Sequence, residues 1–423
     1  MKTITLIKTA SLAMLASLCL ASCQKDLTAN EPLPLSDGNT FSVVDVNTYS
    51  STEFAELLGV EAPADTKCKA FTYEIAKLTY TSLGANGEPI TLSMKIAYPE
   101  GILTKYHDPD FIVLDNHPTI CSDVEAPWNT DPIALAKAME NALVVCPDYE
   151  GYGVSVANDH PYLCHELNAR QSVDAALAAI DYIQAKSGIK MDKGYYLFNS
   201  GYSQGGGIAL AVHKYIETSL NAADKAKLNL KESLCGGGPY SPVTTFAKYK
   251  EWDELDYPTV APMQIIGFLA GFPELFSQFT LADFFSPEFY NCGAIEMIRS
   301  KQYTIDEINA YISETFGSTK CSDIFSAAMY DENSDLCKAV MQCLEINDLT
   351  TGWLPQKKVT LFHSKKDNVV PMENSVEAYE ALKASGKVKQ EWALLSPDHI
   401  TTAILYYVEY MGIYLVNGLI SQL

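Results

Sequence analysis

The chain has 423 residues, of which 48% are hydrophobic and only 19% charged, so material for a large core is present and a disordered polar chain is excluded. Lysine and arginine total 30 against 52 acidic residues, giving a formal charge of −22. Nucleic acid and anionic lipid would both be repelled by such a chain, which sets them aside as partners.

The first residues read as an address. Lys2 and Lys8 precede an apolar run from Ser11 to Leu20 that is too short to span a bilayer. The run ends in Leu20-Ala21-Ser22-Cys23, and small residues before a cysteine at that point resemble the lipobox of bacterial lipoprotein signals. The resemblance implies a signal peptide over residues 1–22, cleavage before Cys23, and a lipid on Cys23 holding the chain at the outer membrane or cell surface. The membrane would then be met only through that lipid. The alternative is an ordinary secretory signal leading to the periplasm or the medium. Gln24-Lys25-Asp26 resembles, more weakly, the charged surface-export tag of Bacteroidota lipoproteins. Residues 23–60 form an N-terminal segment whose polar, proline-containing stretch to about Val46 reads as a tether. Loss of Lys2 and Lys8 with the signal takes the charge from −22 to about −24.

Beyond it, Phe71 to Ser82 and Ile90 to Tyr98 are strand-like and joined by the turn-rich Gly84-Ala85-Asn86-Gly87. Short apolar runs then alternate with helical patterns. Phe111 to Leu114 and Ala142 to Val145 are strand candidates with a helix-like Ile133 to Asn141 between them, and Ala169 to Ala185 has helical spacing. Tyr195 to Phe198, Leu228 to Leu234, Lys358 to Phe362 and Glu391 to Leu395 complete the strands. Strands apolar on both faces and separated by helices imply a mostly parallel sheet sandwiched between helices.

The stretch from 241 to 355 breaks this rhythm. It reads as an inserted helical cap that divides the core into parts at 61–240 and 356–423. Phe272, Phe276 and Phe279 fall on one face of a notional helix there, as a wall toward substrate or as the cap's own core. Ile400 to Leu423 is strongly apolar, but Glu409 near its centre favours a buried terminal helix over a membrane span. Of 11 cysteines, Cys19 and Cys23 belong to the signal, and the odd remainder leaves at least one free thiol or an intermolecular bond. Cys321, Cys337 and Cys343 are close enough in sequence for two to pair. No Cys-x-x-Cys and no cysteine–histidine cluster has zinc spacing, and nothing implies a metal or organic cofactor.

The chemistry-bearing motif is Gly201-Tyr202-Ser203-Gln204-Gly205. It lies between the strand ending near Phe198 and a proline-free apolar helix running to about Leu220, the setting that gives a G-x-S-x-G pattern its meaning. Glycines on either side let strand and helix approach closely around a serine held in a tight turn. The helix begins at that serine, so its first amides and its dipole favour negative charge developing there. A serine hydroxyl needs a base, and the base needs an acid to hold its tautomer. Of the seven histidines (His107, His117, His160, His165, His213, His363 and His399), His399 stands out in Ser396-Pro397-Asp398-His399, just after the last strand. Asp367 follows the strand that ends at His363, in Asp367-Asn368-Val369-Val370-Pro371; Asp398 and Glu373 are the fallback acids.

These residues resemble the α/β-hydrolase family, over roughly 71–240 and 359–423. The elbow serine, the aspartate in a D-x-V-V-P-like loop and the late histidine occur in the family's chain order, Ser203, Asp367, His399. Pro147-Asp148-Tyr149-Glu150-Gly151-Tyr152-Gly153 is similar to the family's turn after its fourth strand, which is structural there. Within the family, the cap and Gly236-Gly237-Gly238-Pro239 look most like secretory lipases and related carboxylesterases. The resemblance implies an oxyanion hole built from the amide of Gln204 and one from the loop after Leu114, where the family often has His-Gly-x. This chain has His117-Pro118-Thr119, and proline has no amide hydrogen, so the second donor falls to Thr119. The expected activity is a serine hydrolase cleaving small-molecule or lipid esters through an acyl-enzyme. An exo-peptidase or amidase on the same fold, and a non-catalytic lipid-anchored binding protein, are the alternatives.

Overall fold

The computed structural model describes residues 41–61, 72–103, 109, 111–188 and 196–414. The signal, Cys23 and His107 lie outside the described residues. One nine-stranded sheet, ordered β1-β2-β3-β5-β4-β6-β7-β8-β9, organises them. β1 (Phe41–Tyr49), β2 (Tyr73–Leu83) and β3 (Pro89–Pro99) form an antiparallel flank, and β3 pairs antiparallel with β5 (Ala142–Pro147). From β5 onward, β4 (Phe111–Asn116), β6 (Tyr196–Tyr202), β7 (Leu230–Gly236), β8 (Lys358–His363) and β9 (Val388–Trp392) pair in parallel.

Helices cover both faces because β4 and β5 are apolar on both. One face packs against α2 (His165–Ser187) and α3 (Gln204–Thr218) through Ile112, Leu114, Val145, Val173, Ile180, Ile208 and Val212. The other takes α1 (Ser51–Leu58) and the C-terminal segment through Phe54, Val113, Val144, Phe362 and Tyr406. A capping box on Ser50 and Glu53 starts α1, and Gly59 in the left-handed region ends it.

Two boundaries differ from the sequence reading. Of the tether expected through Val46, the part from Phe41 onward is instead the start of β1. β1 is an edge strand whose residues are mostly exposed, so it lacks the burial pattern that marks a strand in sequence. The last strand runs over Val388–Trp392, not Glu391 to Leu395: Ala393 N–H makes a final bond to the His363 carbonyl at 2.8 Å, and beyond it Leu394 and Leu395 are 73% and 97% exposed. The hydrophobic letters there marked a loop, while the polar Lys389, Gln390 and Glu391 of the true edge strand carried no apolar signal.

Between β7 and β8 the chain is helical, including α4 (Pro242–Glu251), α5 (Val260–Gly271) and α6 (Asp335–Ile346). Phe272 to Phe279 are not one helical face, because α5 ends at Gly271 and turns follow. Phe276 is buried and packs with Phe268 and Phe284 at ring-centroid distances of 6.5 and 5.7 Å, so it belongs to this region's own core. That core also contains Cys121 and Tyr162 to Cys164, from loops at the end of the sheet, which seats the excursion over those loops. Among the described residues every cysteine is a free thiol, including Cys321, Cys337 and Cys343. After α7 (Glu373–Leu382), α8 (His399–Leu405) continues as a π-helical turn over Tyr406–Tyr410, with Glu409 exposed. No helix of the described residues is long and apolar enough to cross a membrane.

Candidate active site

The carboxyl ends of the parallel strands meet at one rim, where sheets of this kind place reactive groups. β6 runs into α3 through Ser203, whose φ of 58° and ψ of −123° lie outside the regions that side-chain-bearing residues favour. The turn is held from two sides. Ser203 N–H donates to the Gly236 carbonyl at 2.9 Å, Gly201 N–H donates to the Tyr406 hydroxyl at 2.9 Å, and that hydroxyl donates to Leu234 at 2.9 Å.

The flanking glycines are needed for space, since neither Gly201 nor Gly205 has a positive φ. A Cβ on Gly205 would overlap the Asn116 carbonyl oxygen and come within 2.8 Å of that of His117; one on Gly201 would overlap the Gly205 carbonyl. Backbone atoms at the end of β4 cannot yield as a flexible side chain would. Gly205→Ala is therefore expected to cost about 3 kcal/mol or more, visible as a lowered denaturation midpoint. An unchanged midpoint would show that the elbow is looser than these contacts require.

The same contacts bring the loop after β4 alongside the elbow. Gln204 is the first residue of α3, so its amide is one of those left without an intrahelical acceptor. Thr119 follows His117 and Pro118 in that loop, and its hydroxyl lies 2.9 Å from the Tyr162 hydroxyl. His117 is buried, stacked on Tyr149 at 4.0 Å between centroids, and burial lowers its pKa to about 4, leaving it neutral. The Gln204 side chain is fixed from behind: its amide nitrogen is 2.6 Å from His160 Nε2, and His160 Nδ1 is 2.7 Å from the Glu150 carbonyl. Nδ1 faces an acceptor and therefore carries the ring hydrogen, so Nε2 accepts from Gln204. Burial drives the His160 pKa well down, in keeping with this neutral form. Asp148, fully buried, accepts from the Trp128 amide at 2.7 Å and bonds the Ser93 hydroxyl, and burial raises its pKa to about 7.

The structure brings Ser203, His399 and Asp367 together. His399 Nε2 lies 2.9 Å from Ser203 Oγ, and His399 Nδ1 lies 2.6 Å from Asp367 Oδ2. The carboxylate fixes the tautomer, with the hydrogen on Nδ1, so Nε2 is free to accept from the serine. His399 opens α8, where Asp398 caps the helix by accepting from Thr401 N–H at 2.9 Å. Its own amide donates to Asn368 Oδ1 at 3.0 Å, and Tyr202 Oη donates to its carbonyl at 2.7 Å. Asp367 is held through Oδ1 by the amides of Val369 and Val370 at 2.9 and 2.8 Å. Burial alone would raise its pKa, but His399, His363 and their hydrogen bonds outweigh that and hold the carboxyl well below its usual range. The fallback acids lie elsewhere in function: Asp398 caps α8, and Glu373 opens α7 with an ion pair to Lys248 at 3.6 Å.

Several residues around this arrangement are invisible to motif reading. His363, His160 and Tyr162 take positions that only the fold supplies, and Tyr202 and Asn368 lie inside the quoted motifs but make contacts the motifs do not announce. One signal was present for His363, which precedes Asp367 by four residues at the end of a strand.

The model of the secretory lipase family matches residues 129–407, well over half of the chain. No curated protein matches the sequence. Among solved structures, the rice cell wall degrading esterase LipA from Xanthomonas oryzae is 22% identical, with a TM-score of 0.67 over 88% of this chain and 98% of that one. Lipase A from Candida antarctica in its closed state is 14% identical, with a TM-score of 0.61 over 87% of this chain and 79% of that one. At these identities the structures bear on the fold, which is that of an α/β-hydrolase. The serine-bearing elbow, the parallel rim and the family match together place this chain in the secretory lipase family.

Proposed function

We propose that the protein is a serine carboxylic-ester hydrolase that works through an acyl-enzyme. The observation that carries this reading is the chain of contacts at 2.9 and 2.6 Å running from Ser203 through His399 to Asp367. His399 Nε2 takes the hydroxyl proton as Ser203 Oγ attacks the ester carbonyl, and Asp367 stabilises the imidazolium that forms. The oxyanion is met by the amide of Gln204, at the positive end of α3, and by Thr119. When the tetrahedral intermediate collapses, the imidazolium gives its proton to the departing alcohol. Water then repeats the sequence on the acyl-enzyme and frees the acid. The serine proton leaves with the alcohol and a proton from water restores the hydroxyl, so the cycle balances without a cofactor.

The helical excursion between β7 and β8 acts as a cap in this reading. Its apolar composition suits an uncharged acyl group, and the acidic chain disfavours anionic substrates. Export follows from the signal, with Cys23 as the lipid-bearing residue at the cell surface or outer membrane. A fluorophosphonate probe should label the pure protein, and labelling that is absent, or that survives Ser203→Ala, would refute the assignment. Turnover of a p-nitrophenyl ester is expected to exceed that of an aminoacyl anilide, and the reverse order would move the protein to the amidases.

A further inference from the structure

His363 ends β8 and is fully buried. Its Nε2 lies 3.2 Å from Asp367 Oδ2 and 3.1 Å from the Val370 carbonyl. Both neighbours are acceptors, so Nε2 carries a hydrogen. On the other side of the ring, Nδ1 is 2.7 Å from the hydroxyl of Ser375 on α7. A strand, a loop and a helix thus fix the orientation of this imidazole. Oδ2 of Asp367 faces N–H groups from both His399 and His363, while Oδ1 accepts two amides. A buried carboxylate stays ionised when its lone pairs are satisfied in this way.

We propose that His363 is a positioning residue: its Nε2–H holds the Asp367 carboxylate in the rotamer that faces His399 and spreads the charge that His399 experiences. The proposal rests on reading Ser203, His399 and Asp367 as one catalytic unit. Its consequence has a definite sign. A donor on Oδ2 stabilises the carboxylate without help from His399, so removing it concentrates the anion's pull on the imidazolium and raises the proton affinity of His399. The other titratable groups facing this cluster come from several elements. Tyr202 on β6 has its hydroxyl 3.5 Å from His399 Nδ1, and Tyr249 on α4 donates to the Val369 carbonyl at 2.8 Å. Asp256 bonds Asn368, Asp398 caps α8, Tyr240 lies beside Ser375, and Lys365 sits over Trp392 at 5.4 Å. Replacement of His363 changes the charge of none of them.

The test uses the full chain with His363→Leu, which removes the donor, and His363→Gln, whose side-chain amide restores an N–H near the Nε2 position. The titration of His399 is followed by proton NMR, assigned by its loss in His399→Ala, beside the pH profile of kcat/KM. For His363→Leu, the His399 midpoint and the acid limb of kcat/KM are expected to rise together by about one pH unit. Plateau kcat/KM should fall about ten- to a hundredfold, as for loss of one charge-assisted hydrogen bond. His363→Gln should recover most of both. If His363→Leu lowers only the melting temperature and leaves the titration and the limb in place, the proposal is overturned. If the leucine variant does not fold, His363→Asn, which cannot reach Oδ2, must show the same upward shift, and an unshifted titration overturns the proposal equally. The NMR midpoint is independent of turnover, so a wild-type protein without esterase activity would sink the functional reading while the His399 titration still decides the role of His363.

Discussion

Ser203→Ala is expected to lower kcat toward an activated ester by on the order of 10⁵–10⁶-fold while leaving the fold intact. In the proposed mechanism the alanine removes the atom that would bond the acyl group, and His399 Nε2 loses its partner at 2.9 Å. Little else changes: the turn is held by backbone contacts to Gly236 and by the Tyr406 hydroxyl, neither of which involves Ser203 Oγ. Steady-state kinetics with an unchanged circular dichroism spectrum would check this. A loss below about a hundredfold would show that another group attacks the ester.

Asp367→Asn should cost on the order of 10⁴-fold in kcat, for a reason the local contacts make specific. Oδ1 of Asp367 accepts two backbone amides, so the carbonyl oxygen of an asparagine must stay there. Its NH₂ group is then turned toward His399 Nδ1 and His363 Nε2. Facing a donor, Nδ1 of His399 must become an acceptor, which moves the ring hydrogen to Nε2, where it meets Ser203 Oγ. A histidine in that tautomer cannot take the serine proton. The NH₂ also confronts the N–H of His363, donor against donor, so a fall in denaturation midpoint should accompany the kinetic loss. Asp367→Asn with nearly normal kcat would mean that the carboxylate does not set the His399 tautomer.

Much of this arrangement could be read along the chain because each element announces itself locally. The elbow carries small residues where strand and helix nearly touch, and the contacts of Gly201 and Gly205 give the reason. Asp367 and His399 stand just beyond the ends of β8 and β9, positions a strand-by-strand reading can reach even when the limits of β9 are displaced. What escaped depends on contacts between distant segments. His363 looks like the final residue of an apolar strand, and only the fold of the following loop turns Asp367 back against it at 3.2 Å. His160 lies 44 residues before Gln204 and meets it only because the loop after β5 closes over the start of α3. β1 was hidden by exposure: an edge strand with one neighbour has no buried face on both sides to betray it. The phenylalanines from 272 to 279 misled in the opposite sense, since their spacing mimicked a helix across turns that pack as core.

In the proposed reaction the acyl group of the ester passes through a covalent bond to Ser203. Acid-quenched mixing of the protein with a short-chain p-nitrophenyl ester, followed by peptide mass mapping, tests it directly. The expected result is one acyl group per chain on the peptide containing Ser203, formed in step with a burst of p-nitrophenol. An acyl group on any other side chain, or steady turnover with no acylated peptide and no burst, would contradict it.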